Sequence, residues 1–380
     1  MQPVSRTALI VSIGACGLMF TPRVNADELA FTTSNPLFPS SSFDGLQVGE
    51  PGGFSGVSLR SGLEFLWDID YNAASDRFYV IGAGDDAGES PPGREFNFNN
   101  TGTIWSFDRD GSNAVQHASG LDRPLHLDVT PDGQTVFFAE QGEGQGDTFA
   151  NNGRIGRLDV ATNSIQTVDT APTNAGPTGV DFDPVTGDLF YQANNRGTDI
   201  SMQQIRRVRG ALTAADLSAG SDALWLDNPV PADGTLDDGG EFTVLSAGRN
   251  VAVHDGFVYF TYRNRNFTPN SEIRRLPLDF DFDSDDPENF ETLVGGIRII
   301  DFEIAGDTLY WTDPQQNGLF SVALGEDGLP VGDPNRVATG DPSFASLPIG
   351  VAVVPEPTSV AVLLLGSSTL LMARRRRVKR

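Results

Sequence analysis

The chain has 380 residues, 39% of them apolar, with 26 Lys and Arg against 51 Asp and Glu, a formal charge of −25, and a single cysteine. So acidic a surface repels phosphate backbones and anionic lipid, which argues against nucleic acid as a partner and favours divalent cations, basic proteins or neutral sugars. One thiol cannot form an internal disulfide, so stability must come from a buried core, for which a chain of this length has ample material.

Residues 1–26 combine a basic residue (Arg6), an apolar run from Ala8 to Phe20, and small or aliphatic residues at Val24 and Ala26. This is the layout of a secretory signal peptide cleaved after Ala26. A rival lipoprotein-type cut stands just before Cys16, in Ile13-Gly14-Ala15-Cys16. Cleavage after Ala26 removes the only cysteine. Two basic residues leave with this segment and six sit in the last seven positions, so residues 27–356 keep 18 basic residues against 51 acids, a formal charge of −33, and no lysine.

From residue 63 onward long helical periodicity is scarce, and one strand-like tetrapeptide recurs: Phe78-Tyr79-Val80-Ile81, Val136-Phe137-Phe138-Ala139, Leu189-Phe190-Tyr191-Gln192, Val258-Tyr259-Phe260-Thr261 and Leu309-Tyr310-Trp311-Thr312. The copies lie 58, 53, 69 and 51 residues apart. A second strand follows each copy, at 104–107, 155–158, 205–208, 273–276 and 319–322. Another precedes most of them through a turn, as in Asp128-Val129-Thr130-Pro131-Asp132-Gly133 and Asp181-Phe182-Asp183-Pro184-Val185-Thr186-Gly187. Proline presets one turn dihedral and glycine accepts the positive one, so each unit reads as successive antiparallel strands. A period near 50 without crossover helices predicts an all-β fold, a β-propeller over residues 27–353. Five units are visible, and residues 28–60 with 346–354 supply one more blade closed by both ends, which gives six blades of four strands; five and seven are the alternatives.

Leu309-Tyr310-Trp311-Thr312-Asp313 resembles the YWTD repeat of six-bladed propellers, and Gly176-Pro177-Thr178-Gly179-Val180-Asp181-Phe182-Asp183-Pro184 is similar to NHL and gluconolactonase-type propellers. The gluconolactonase resemblance implies a divalent metal in the central channel and a calcium-type lactonase or hydrolase activity as the alternative to pure binding. Glu64 in Glu64-Phe65-Leu66-Trp67-Asp68 stands nearest to that family's metal-binding glutamate, but the Gly-Pro that should follow is missing, and Arg123-Pro124-Leu125-His126 replaces the expected asparagine. Asp128 and Asp181 are further metal candidates. So are Asp279, Asp281 and Asp283, whose D-x-D-x-D spacing suits calcium, although period-two alternation with Leu278, Phe280 and Phe282 equally reads as the solvated face of an outer strand. His117, His126 and His254 are isolated in sequence and read as turn or packing residues unless the fold gathers them on a metal. No nucleophile motif or phosphate loop is present. The loops 82–101, 140–153, 193–203 and 211–240, with Phe96-Asn97-Phe98-Asn99-Asn100 and Tyr262-Arg263-Asn264-Arg265-Asn266-Phe267, offer surfaces for sugars or a protein. The leading expectation is therefore a binding protein without catalysis.

The chain finishes with Val354-Pro355-Glu356-Pro357-Thr358-Ser359, a 15-residue apolar run to Ala373, and Arg374, Arg375, Arg376 and Arg377. The run is shorter than the roughly 20 residues of a membrane-spanning helix, so it reads as an address inserted transiently in the bilayer with its arginines inside. The order of these parts closely resembles the PEP-CTERM sorting signal of exported bacterial proteins, here residues 354–380. The resemblance implies cleavage near the Pro-Glu-Pro by an exosortase and delivery to the cell surface or extracellular matrix. An ordinary tail anchor is the alternative.

Overall fold

The computed structural model describes residues 28–34, 45–49, 55–57, 66–82, 100–142, 144–145, 148–149, 153–170, 175–195, 203–214, 224–227, 250–263, 271–279, 291–297, 299–313, 315–339 and 347–354. Both address segments lie outside them. Three strands come first: β1 (Glu28–Ser34), β2 (Gly45–Gly49) and β3 (Ser55–Val57). Blade II follows as β4 (Leu66–Asn72), β5 (Arg77–Gly82), β6 (Gly102–Asp108) and β7 (Val115–Leu121). Blade III is β8 (Pro124–Val129), β9 (Thr135–Glu140), β12 (Arg154–Asp159) and β13 (Ser164–Thr170), with the short hairpin β10 (Gly144–Gln145) and β11 (Thr148–Phe149) inserted. Blade IV is β14 (Ala175–Asp183), β15 (Asp188–Asn195), β16 (Gln203–Val208) and β17 (Leu224–Asp227). Blade V is β18 (Val251–His254), β19 (Phe257–Arg263), β20 (Ser271–Pro277) and β21 (Glu291–Ile297), and blade VI is β22 (Phe302–Ala305), β23 (Thr308–Asp313), β24 (Gly318–Leu324) and β25 (Pro330–Thr339).

The last strand, β26 (Leu347–Val354), pairs antiparallel with β1 and completes blade I in the order β26-β1-β2-β3. The chain is thus an all-β, six-bladed propeller of four-stranded antiparallel sheets, shut by one strand from its end and three from its beginning. The innermost strands touch in succession around the axis, β26 to β4, β8, β14, β18, β22 and back to β26.

The recurring tetrapeptides form the second strand of blades II to VI, and the strands predicted after them form the third. Side chains alternate between the two faces of a strand, so each aromatic strand serves two neighbours. On β5, Phe78 and Val80 pack toward blade I while Tyr79 and Ile81 pack toward blade III; on β9, Phe138 faces blade II and Phe137 faces blade IV. Six apolar clusters result, one at each blade junction.

The two predicted turns are present. Gly133 and Gly187 take φ of +70° and +75°, and Gly133 N–H donates to Thr130 O at 2.7 Å. Two of the predicted loops contain strand, since β10 and β11 fall within 140–153 and β17 within 211–240. Asp279 occupies a turn after β20, and the outermost strand of blade V is β21; the rest of the acidic ladder, Asp281 and Asp283 included, lies outside the described residues. Among the described residues no helix is long and apolar enough to cross a membrane.

Candidate functional site

Polar chemistry concentrates where the six inner strands meet. A strand that borders the axis has its side chains between itself and the next inner strand. A short acceptor there reaches the neighbour's backbone N–H and satisfies a buried donor across the blade junction. The same arrangement recurs round the ring. Asp68 and Asp70 of β4 accept from Leu127 and Val129 N–H of β8, both at 2.8 Å. Asp128 of β8 accepts from Phe182 N–H at 2.6 Å, and Asp181 of β14 accepts from Val253 N–H. Asn250 donates to Phe302 O at 2.7 Å, and Asp301 accepts from Val351 N–H at 2.8 Å. Asn250 and Asp301 stand one residue before β18 and β22, and β26 contributes no acid or amide. A bond to an ionised carboxylate of this kind contributes about 1.5–3 kcal/mol, and the neutral Asn250 bond about 0.5–1.5 kcal/mol.

His126 spans the axis. Its Nε2 lies 3.0 Å from Asp301 Oδ1, which belongs to blade VI, three blades away, and its Nδ1 lies 3.0 Å from Asp68 Oδ2 on the adjacent blade. The Nδ1 contact is off the line of a hydrogen bond, so that attraction is chiefly Coulombic. Asp301 Oδ1 also accepts from Asn250 Nδ2 at 2.5 Å and from Phe302 N–H at 2.8 Å. All three side chains are buried: 2% of Asp68, 6% of His126 and 2% of Asp301 is exposed. Burial pulls the imidazole toward its neutral form, yet Asp68 and Asp301 outweigh it and hold its pKa well above 6.5. Burial raises Asp68 from 3.8 to about 6, against the pull of His126.

Two residues further along the same strands, Asp70, Asp128, Asp181 and Glu303 form a second acidic layer, half-buried at the channel wall. All four carboxyls are raised, by burial first; repulsion adds to this at Asp128, chiefly from Asp181, at Asp181, chiefly from Glu303, and at Glu303, chiefly from Asp70.

Among the described residues Asp68, His126 and Asp301 are the one set of three whose donor atoms lie within 4.8 Å of one another. They do not fit the open catalytic metal that the gluconolactonase resemblance implies. One ion can bind only one nitrogen of an imidazole, and His126 turns one to each carboxylate. Asp301 already accepts four hydrogen bonds, and burial leaves no coordination position facing a substrate. The arrangement is an ion-paired strut across the hub.

Of the predicted metal residues, Asp128 and Asp181 are brought together as interblade latches, while Glu64 lies outside the described residues. The histidines are not gathered. His117 sits between Ser106 Oγ (2.8 Å) and Asn163 Oδ1 (2.9 Å), stacked on Tyr79, and burial lowers its pKa. His254 is the half-buried last residue of β18. Val354 is the buried last residue of β26, and Pro355 to Ser359 and Arg374 to Arg377 lie outside the described residues. Sequence reasoning missed Asp68, Asp70, Asn250, Asp301 and Glu303 as a set. The available signal was an acid or amide on, or one residue before, five of the six inner strands, shortly before the aromatic strand.

No family model and no curated protein matches this chain. Solved structures do. A chain in the crystal structure of a nidogen/laminin complex is similar over 86% of this chain and 97% of its own, with a TM-score of 0.54 and 12% identity. TolB from Acinetobacter baumannii is similar over 87% of this chain and 67% of its own, with a TM-score of 0.51 and 14% identity. At such identities the likeness is one of fold, and it establishes the class: a six-bladed β-propeller akin to these two.

Proposed function

We propose that this protein is an exported binding propeller, carried out by residues 1–26, processed by an exosortase near Pro355-Glu356-Pro357, and used at the cell surface or in the extracellular matrix to hold a polysaccharide or a protein partner without catalysis. The observation that carries the reading is where the wheel ends. Its innermost closing strand stops at Val354, the first residue of the sorting motif, so cleavage at the Pro-Glu-Pro leaves every strand in place. The acids at the hub support binding over catalysis, because their oxygens are engaged in interblade bonds and in the His126 strut. The similar chain in the nidogen/laminin complex belongs to a protein–protein assembly, a use compatible with this scaffold.

The test is expression in an exosortase-bearing Gram-negative host and in its exosortase-deficient derivative, followed by mass determination of the C-terminus. A product released from the membrane and ending near residue 355 only in the first host is expected. An uncut, membrane-held chain in both overturns the delivery reading, and calcium-dependent lactone hydrolysis by the purified protein overturns the non-catalytic one.

A further inference from the structure

The wheel's first strand starts where its last strand stops. Glu28, at the head of β1, is the register partner of Val354, at the foot of β26. In blades II to VI the corresponding place carries the turn between the first and second strands, at 72–77, 129–135, 183–188, 254–257 and 305–308, and the connections between third and fourth strands lie on the same side. In blade I the two strand ends stand in place of that turn. We infer that, while the tail is inserted in a bilayer, the wheel is held with this turn face toward the membrane and its opposite face outward, so that a macromolecular partner meets the tethered protein from the outward side; this deepens the export reading above and rests on it.

Reach decides the orientation. Four residues, Pro355 to Thr358, separate Val354 from the apolar run that begins at Ser359. The five Cα steps between Val354 and Ser359 span at most roughly 18 Å. The tether starts near the axis, because β26 is the innermost strand of blade I, and the outermost strand β3 lies three strand spacings away, about 14 Å. A seven-residue strand such as β1 is about 24 Å long. To lay the opposite face on the bilayer the tether would have to cross the blade and then run its full height, together about twice its reach. The hub offers no shortcut, since His126 with Asp68 and Asp301 spans the axis. Standing the wheel on its rim would take nearly the whole tether along the face and leave nothing to clear the side chains of β3. The turn face is what remains.

The origin of the tether is pinned. Glu28 pairs with Arg109 of blade II, and Val351 N–H donates to Asp301 of blade VI at 2.8 Å, so both strand ends are tied to the blades beside them. Charge makes tether length, rather than adhesion, the controlling factor. The turns of this face expose Asp76, Asp132, Asp159, Asp255 and Asp327. Carboxylates are repelled by anionic lipid, so the face does not hold a bilayer by itself and the wheel departs once the tether is cut.

The test uses the uncut chain recovered from the exosortase-deficient host and reconstituted in vesicles of phosphatidylethanolamine and phosphatidylglycerol that carry an acceptor fluorophore on their headgroups. Residues 27–380 contain no cysteine, so a donor is attached at one exposed position at a time: Ala161→Cys or Val185→Cys on the turn face, Thr101→Cys or Ser119→Cys toward the other. Energy transfer is expected to bring the first pair closer to the bilayer than the second by roughly 20 Å, near the length of a strand. About twenty Gly and Ser residues inserted between Thr358 and Ser359, which add about 25 Å of average reach, are expected to erase most of that difference. Equal transfer from the two faces without the insert, or stronger transfer from the outward face, overturns the inference while leaving the export reading intact. A difference that the insert leaves unchanged overturns the tether as its cause. A chain that does not stay with the vesicles overturns the tail-insertion reading itself, and this inference with it.

Discussion

Replacing His126 by glutamine tests whether the hub is held by charge. The imidazole lies 3.0 Å from each of two buried carboxylates, on blades II and VI. Glutamine keeps polarity and approximate length but removes the positive charge, which leaves Asp68 and Asp301 facing each other in a medium that screens poorly. Losing one partner of a buried ion pair costs about 3–5 kcal/mol. At about 2 °C per kcal/mol for a chain of this size, Tm is expected to fall by roughly 6–10 °C. The folded pKa of His126 is raised, so its stabilisation is fully present below 6.5 and is lost as pH rises through the folded value. The gap between wild type and His126→Gln should therefore be widest near pH 6 and narrow as pH is raised toward 10. Urea titrations at several pH values measure both. Asp68→Asn in the His126→Gln background should recover part of the loss, because it removes one of the two stranded charges. A loss below about 1 kcal/mol, the worth of an exposed pair, or a loss that is the same at every pH, would refute the ion-paired strut and leave His126 as a packing residue.

The acidic layer makes a second claim about pH. Asp68 is raised to about 6, and Asp70, Asp128, Asp181 and Glu303 are also raised. Such groups stabilise the fold below their unfolded values, and that contribution is lost as pH rises through the folded ones, so calorimetry should show Tm climbing as pH is lowered from 8 to 5. Turn acids such as Asp110, Asp132 and Asp159 are lowered by hydrogen bonds to nearby hydroxyls and N–H groups, so their contribution disappears only as pH falls below about 3.8, which limits the gain at the acid end. At pH 8 Asp128→Asn should match or exceed wild type in chemical denaturation, since its amide oxygen still accepts from Phe182 N–H and repulsion with Asp181 is relieved. Asp128→Ala should lose about 1–3 kcal/mol by orphaning that N–H. Gly156→Ala places a Cβ 2.1 Å from the buried Phe138 ring and should cost about 1–3 kcal/mol or more by overpacking, read as a lower urea midpoint.

Much of the architecture was legible because the repeat is dictated by packing. Every second strand must cover two neighbours, so Tyr79, Phe137, Phe190, Tyr259 and Tyr310 recur, and the turns at Gly133 and Gly187 punctuate them. The sixth blade has no aromatic tetrapeptide and was inferred from what remained at the two ends, where β1 and β26 indeed pair. The hub was legible only in part. Asp128 and Asp181 stood out beside their turns, but Asp68, His126 and Asp301 are brought together by ring closure across separations of 58 and 175 residues, which no local pattern records.

The placement of β26 has a consequence for biogenesis. In this wheel the hub position of blade I is taken by β26, the last of the described strands in the chain and so the last of them to be synthesised. Until it arrives, the exposed flank of β1 is an unpaired sheet edge of the sort that invites association with other chains. Were the tail to detain the chain at the membrane, as proposed above, the final strand would gain time to dock before release, and the proposed sorting signal would aid closure of the wheel as well as delivery.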